Sequence, residues 1–254
     1  MDAPDSPCAS NFIPSPNHEP RPAGDVDIIL LHYTGMASAA AALARLCDPD
    51  AKVSSHYFVD EDGVITQLVA ESRRAYHAGV ASWQGTTDIN SRSIGIEIVN
   101  GGHDFGCPEF PARQIDSVIR LCKDIQTRWP IPPANVLAHS DVAPSRKQDP
   151  GEKFPWAVLH AARVGLWVEP EPISDGASLK AGDSGNAVGK LQTSLRSFGY
   201  GIHVTNIFDE TTRDVVIAFQ RHFRPQLVDG VADASILETL GRLLDARRAG
   251  QSQA

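Results

Sequence analysis

The sequence predicts an α/β fold, a central mixed β-sheet flanked by helices, followed by a small all-α unit of three helices. Three observations predict it. Short apolar runs of strand length alternate with segments of helical periodicity up to Val168. Proline, acidic and small residues then crowd VEPEPISDGAS, and beyond it only helical spacing recurs. With 42% hydrophobic and 21% charged residues, a chain of 254 residues can bury a proper core.

Residues 1–25 are proline-rich and read as an extended lead-in that wraps the domain or stays loose. DIILLHYT is a continuous apolar run with β-branched residues, a buried strand that delivers His32 at its polar end. MASAAAALARLC follows as an alanine-rich helix, stopped by Asp48-Pro49. SHYFVDEDGVITQLV alternates and turns at Asp62-Gly63, a β-hairpin. SIGIEIVN is a further strand: Ile94, Ile96 and Ile98 share one face, so Glu97 points the other way with Gly95 and Val99. Residues 111–128 form a helix with Ile115, Val118, Ile119, Leu121, Cys122 and Ile125 near one face.

These elements define an α/β domain over 26–168, a linker over 169–177 and a helical unit over 178–246. In that unit Val188, Leu191, Leu195 and Phe198, then Val215, Phe219 and Phe223, then Ile236, Leu237, Leu240 and Leu244 recur at helical spacing. The tail 247–254, RRAGQSQA, is expected to fray.

A net charge of −8 removes the obvious source of non-specific attraction to nucleic acid. No run is long and apolar enough for a membrane span. The first residues carry acids and lack the apolar core of an export signal, which points to the cytoplasm. Cys8, Cys47, Cys107 and Cys122 form no CxxC pair; small buried thiols in a reducing compartment are the expectation, with a Cys107–Cys122 pairing left open. A monomer is favoured.

Catalytic zinc takes three protein ligands and leaves a fourth position for water. His32, His139 and Asp149 make such a set if the strand bearing His32 lies beside the loop AHSDVAPSRKQDPG. His18, His56, His77, His103, His160, His203 and His222 offer alternative triads, and spacing does not choose among them. Glu97 is either a solvated strand residue or a carboxylate beside the metal that accepts a proton from water.

The blocks LLHYTG, VSSHYFVDEDGVITQLV, AYHAGVASWQG, SIGIEIVN and HSDVAPSRKQDPG, in this order, resemble the zinc-dependent N-acetylmuramoyl-L-alanine amidases of the AmpD and AmiD type. The likeness spans roughly residues 25–165 and is most specific in HSDVAPSRKQDPG. LKAGDSGNAVGKLQTSLRSFGY, FDETTRDVVIAFQ and VDGVADASILETL are similar to the helical peptidoglycan-binding module often appended to wall hydrolases. Two departures stand out: Asn206-Ile207-Phe208, where a glycine commonly precedes Phe-Asp, and Arg224-Pro225-Gln226 in the turn after the second helix.

Carried over residue by residue, the resemblance implies one Zn²⁺ held by His32, His139 and Asp149, with Glu97 as base and Lys147 stabilising the transition state. Tyr33, His77 and Ser140 are the implied substrate contacts; for His77 a structural hydrogen bond is the alternative, and for Tyr33 a strand cap. The implied reaction is hydrolysis of the amide between N-acetylmuramic acid, or its 1,6-anhydro form, and L-alanine of stem peptides, with peptidoglycan fragments or the sacculus as partner. The rival class is a peptidoglycan-binding protein with a structural zinc site.

Overall fold

The computed structural model describes residues 3–251 apart from 23, 25 and 175. In chain order the elements are β1 (Asn11–Phe12), β2 (His18–Pro20), β3 (Ile28–Tyr33), α1 (Ala39–Cys47), β4 (Tyr57–Val59), β5 (Ile65–Gln67), β6 (Arg73–Ala75), α2 (Ile89–Arg92), β7 (Ser93–Ile98), α3 (Ala112–Arg128), β8 (Val136–Ala138), α4 (His139–Val142), α5 (Trp156–Ala161), α6 (Asn186–Phe198), α7 (Glu210–Phe223) and α8 (Ala234–Gln251). Six strands form the mixed sheet in the order β1-β5-β4-β7-β3-β8. β3 runs parallel to both β7 and β8, and β4 is parallel to β7 but antiparallel to β5. The β4–β5 hairpin turns through Gly63, where φ is +84° and a Cβ would lie 2.8 Å from the Arg113 carbonyl; α3 packs too close for any other residue.

The lead-in wraps the domain. β1 pairs in parallel with β5, and β2 pairs antiparallel with β6. Arg21 latches it, donating to the carbonyls of Arg73 at 2.7 Å and Ser91 at 2.8 Å. Across the domain the buried Glu71 carboxylate accepts from Tyr57 Oη, Arg128 Nη2 and Trp129 Nε1 at 2.6–2.7 Å, which ties the C-terminal end of α3 to the loop before β6.

Alternation along β3 divides its side chains between two cores. Ile29 and Leu31, with Ile94, Ile96 and Ile98 of β7, pack under α3 and α5. Ile28 and Leu30 face the other way, into a core continuous with the helical unit: Val188, Leu195, Phe198, Tyr200, Phe219 and Phe223 belong to the same cluster. The unit therefore shares a core with the α/β domain, and α7 packs on α4. The segment before it is laid along α8, with Ser235 Oγ donating to the Glu171 carbonyl at 2.6 Å.

Both sequence departures have local reasons. Asn206 sits at φ +60°, a left-handed position that asparagine tolerates without glycine. Arg224 is buried and rebuilds its turn, donating to Leu227 O at 2.6 Å and pairing with Asp233 at 3.2 Å. One expectation is corrected: α8 continues to Gln251 instead of fraying from Arg247, because the Arg247 guanidinium bonds the Phe198 carbonyl at the end of α6. Residues 252–254 of that tail lie outside the described residues. The four cysteines are free thiols, and Cys122 is fully buried in α3. Among the described residues no helix is long and apolar enough to cross a membrane.

Trp83 is the test of the shared core. It is fully buried, meets Tyr200 and Phe198 edge-on at 5.3 and 6.1 Å, and lies so close to Gly199 that a Cβ there would be 2.5 Å from the indole. Trp83→Ala is expected to cost about 3–5 kcal/mol, read from the shift of the urea midpoint. Wild-type protein should unfold in one transition; separate transitions for sheet and helical unit would contradict a common core.

Candidate metal centre

The cluster forms at the C-terminal ends of three adjacent parallel strands. In register Leu30 pairs with Gly95 and His32 with Glu97, while β8 ends at Ala138, one residue before His139. His32 and Glu97 therefore leave neighbouring strands on the same face, and His139 enters from the next strand over. The loop after α4 returns Asp149, with Ser140 N–H donating to the Asp149 carbonyl at 3.0 Å to close it. The result is a triangle of donor atoms: His32 Nδ1 to His139 Nδ1 at 2.9 Å, and each to Asp149 Oδ2 at 3.0 Å.

The outer hydrogen bonds assign the protons. His139 Nε2 lies 3.0 Å from the Ala78 carbonyl and must donate to it, which turns its Nδ1 lone pair inward. His32 Nε2 donates to His77 Nδ1 at 3.1 Å, His77 Nε2 donates to Ser93 Oγ at 3.3 Å, and Ser93 Oγ donates to the Ile89 carbonyl at 2.7 Å. Every proton in this chain has an acceptor, and the Nδ1 lone pair of His32 also points at the triangle. Burial and the adjacent His139 push His32 down to about 4 against the pull of Asp149, so it is neutral at pH 7. Burial alone would raise Asp149, but His139 and His32 outweigh it and keep it a carboxylate. Two imidazole lone pairs and an anionic oxygen converging in a buried space could hold a cation at their centre. The N₂O set is that of a borderline divalent ion.

A cleft of about 370 Å³ opens over the triangle, lined also by Tyr33, Glu97 and Lys147. Glu97 Oε2 is sealed from solvent without a partner. Burial and then Asp149 raise the Glu97 carboxyl well above its ordinary value, with Lys147 opposing them. A carboxyl raised in this way holds a proton more readily than a solvated one.

Comparison with known proteins agrees with this geometry. The family profile described as N-acetylmuramoyl-L-alanine amidase matches residues 22–152, and one for a peptidoglycan binding domain matches 184–240. The N-acetylmuramoyl-L-alanine amidase AmiD of Escherichia coli is 36% identical over 87% of this chain and 83% of its own length. The chain belongs to the N-acetylmuramoyl-L-alanine amidase family. The 1,6-anhydro-N-acetylmuramyl-L-alanine amidase AmpD of Enterobacter cloacae is 31% identical over 60% of this chain and 89% of its own. Among solved structures, the complex of E. coli AmiD with anhydro-N-acetylmuramic acid-L-Ala-D-gamma-Glu-L-Lys superposes with a TM-score of 0.76 at 35% identity, covering 90% of both chains. AmpDh3 of Pseudomonas aeruginosa gives 0.73 at 30% identity, covering 97% of this chain and 99% of that one.

Within this amidase, His32, His139, Asp149, Glu97 and Lys147 are brought together at one cleft. Tyr33 lines it too, with its hydroxyl 3.0 Å from His103 Nδ1. His77 reaches the cleft wall, but its ring is buried and both nitrogens are engaged, one of them on His32; Gly95 leaves the room, since a Cβ there would lie 2.6 Å from that ring. Ser140 is fully buried and does not line the cleft; one residue along helical α4 rotates about 100° from His139. Sequence reading missed the carbonyl of Ala78 as the outer partner of His139. It also missed Asn90, whose Oδ1 accepts from the backbone N–H groups of His77 and Ala78. A second group, His103, Cys107 and Glu152, gathers beside Tyr33. Both His103 nitrogens are occupied there, by Tyr33 and by Glu152 at 3.0 Å, so it is a hydrogen-bonded chain.

The buried imidazoles give a pH signature. Burial and Arg21 push His56 down to about 3, and burial with the neighbouring His32 and His56 puts His77 well below 6.5. Below 6.5 the unfolded chain binds protons that His32, His56 and His77 refuse in the fold, so metal-free stability falls with falling pH. Glu97, raised, runs the other way. Metal-free protein should lose up to about 1.4 kcal/mol per pH unit per such histidine between pH 6.5 and 4. Urea midpoints in chelator check this; stability that stays level toward pH 4.5 would contradict the assignment.

Proposed function

We propose that this amidase holds one zinc ion on His32 Nδ1, His139 Nδ1 and Asp149 Oδ2 and hydrolyses the amide between the lactyl group of N-acetylmuramic acid, plain or 1,6-anhydro, and L-alanine of the stem peptide. The observation that carries the reading is the donor triangle in one cleft with a Glu97 carboxyl whose Oε2 is buried and unpartnered. When bound, the ion supplies Lewis acidity that acidifies water and polarises a carbonyl.

The remaining work falls to side chains. Glu97 takes a proton from the attacking water and passes it to the amide nitrogen, which leaves poorly until protonated. Lys147 lines the same cleft, and its role in this reading is to meet the charge that gathers on the carbonyl oxygen, which stabilises the transition state more than the neutral substrate. The substrate assignment draws support from the AmiD complex with an anhydro-muramyl tripeptide. A binding protein with a structural zinc site would gain nothing from an unpartnered carboxyl next to the ion, since burying one is costly. The helical unit is assigned to holding glycan or peptidoglycan fragments, supported by its family match. A cytoplasmic site of action is supported by the four free thiols and is checked by cell fractionation.

Zinc-loaded protein incubated with a soluble muropeptide should release free peptide and sugar, read by mass. Glu97→Gln is expected to keep its zinc and lose roughly 10²–10⁴-fold in kcat. Lys147→Met should lose about 10²–10³-fold with KM little changed. Intact substrate with wild-type protein, or full turnover by Glu97→Gln, would sink the mechanism.

A further inference from the structure

α4 carries His139, yet it is only four residues long and cannot hold itself in place. Its anchor is Asp141, two residues after the ligand and fully buried. Asp141 Oδ2 accepts from Ala138 N–H at 2.8 Å, which closes the turn from within. Its other two bonds come from the helical unit: the Tyr200 hydroxyl donates to Oδ1 at 2.8 Å, and His222 Nδ1 lies 2.7 Å from Oδ2. His222 is itself fixed, stacked between Trp156 at 3.6 Å and Phe223 at 3.8 Å. The preceding residue of α7 grips the far end of the same loop: Arg221 Nη2 donates at 2.9 Å to Gln148 Oε1, between Lys147 and Asp149. Two consecutive residues of α7 thus hold both ends of the segment that presents His139, Lys147 and Asp149.

We propose that the helical unit is a working part of the metal centre: Tyr200 and His222, acting on Asp141, are positioning residues that set His139 for metal binding and catalysis. This goes beyond attachment to the wall and rests on the zinc reading above. A buried carboxylate deprived of its donors must move or draw in water. Either response displaces His139, and displacements well under 1 Å degrade a metal site.

Zinc affinity of the full chain, measured by competition with a chromophoric chelator, provides the test, with kcat and KM on a soluble muropeptide alongside. Wild-type protein binding no zinc would refute the zinc reading itself, independently of the variants. Tyr200→Phe and His222→Leu should each weaken zinc binding about tenfold or more and lower kcat with KM nearly unchanged. His222→Asn, whose side-chain amide can donate from near the Nδ1 position, should restore most of both. Leu240→Ala, a core substitution in the same unit away from Asp141, should lower Tm while leaving zinc affinity within twofold. Wild-type zinc affinity in Tyr200→Phe and His222→Leu would overturn the proposal. So would an equal loss in Leu240→Ala, which would reduce the role of the unit to general stability.

Discussion

The parallel register of β3 against β7 is the constraint on which the site depends. It sets His32 beside Glu97 with no freedom to slip, because moving either strand by one residue would turn Ile28 and Leu30 out of one core and Ile29 and Leu31 out of the other. Two dry cores thus pin the proposed metal ligand His32 and the proposed proton carrier Glu97 as neighbours. Ligand sites at the carboxyl ends of parallel strands follow the same logic, since the strands end together and the following loops are free to carry chemistry. Here β8 adds His139 from the third strand of that edge.

Position alone does not make a ligand; the ring must also turn the correct nitrogen. The donors and acceptors outside the triangle do this. His139 is set by a carbonyl, and His32 by a proton chain that runs through His77 and Ser93 to Ile89. The missing side chain at Gly95 belongs to this arrangement, because the His77 ring occupies that volume. Glu97 is left without such a partner. The contrast separates His32 and His139, whose ring nitrogens are all engaged, from Glu97, whose Oε2 has no partner.

What the sequence makes legible follows from locality. Apolar runs mark β3 and β7, Asp62-Gly63 marks the hairpin, and helical spacing marks α6 and α7, since each signal lies within a few residues. His32, His139 and Asp149 were identifiable through ordered sequence blocks and not through their spacing, which leaves other histidine triads open. His77 and Asp141 were not legible as to role, because their partners lie 45 residues or more away and a polar loop residue reads the same whether solvated or buried. For Ser140, adjacency to His139 in sequence becomes a different, buried face on a helical turn. The strands β1 and β2 escaped because two or three residues carry no periodicity; partners on the hairpin and on β6 hold them.

The shared core changes what the second unit means physically. A tethered binding module keeps its own core and leaves its neighbour's sheet covered by something else. In this chain Ile28 and Leu30 of β3 share one buried cluster with α6 and α7, reached through Trp83, Leu137 and Val142. Since α7 lies on α4, polar groups at that boundary had to find partners across it, and the buried carboxylate of Asp141 found two. Joining the two units and bracing the segment that bears His139 are then consequences of one packing arrangement.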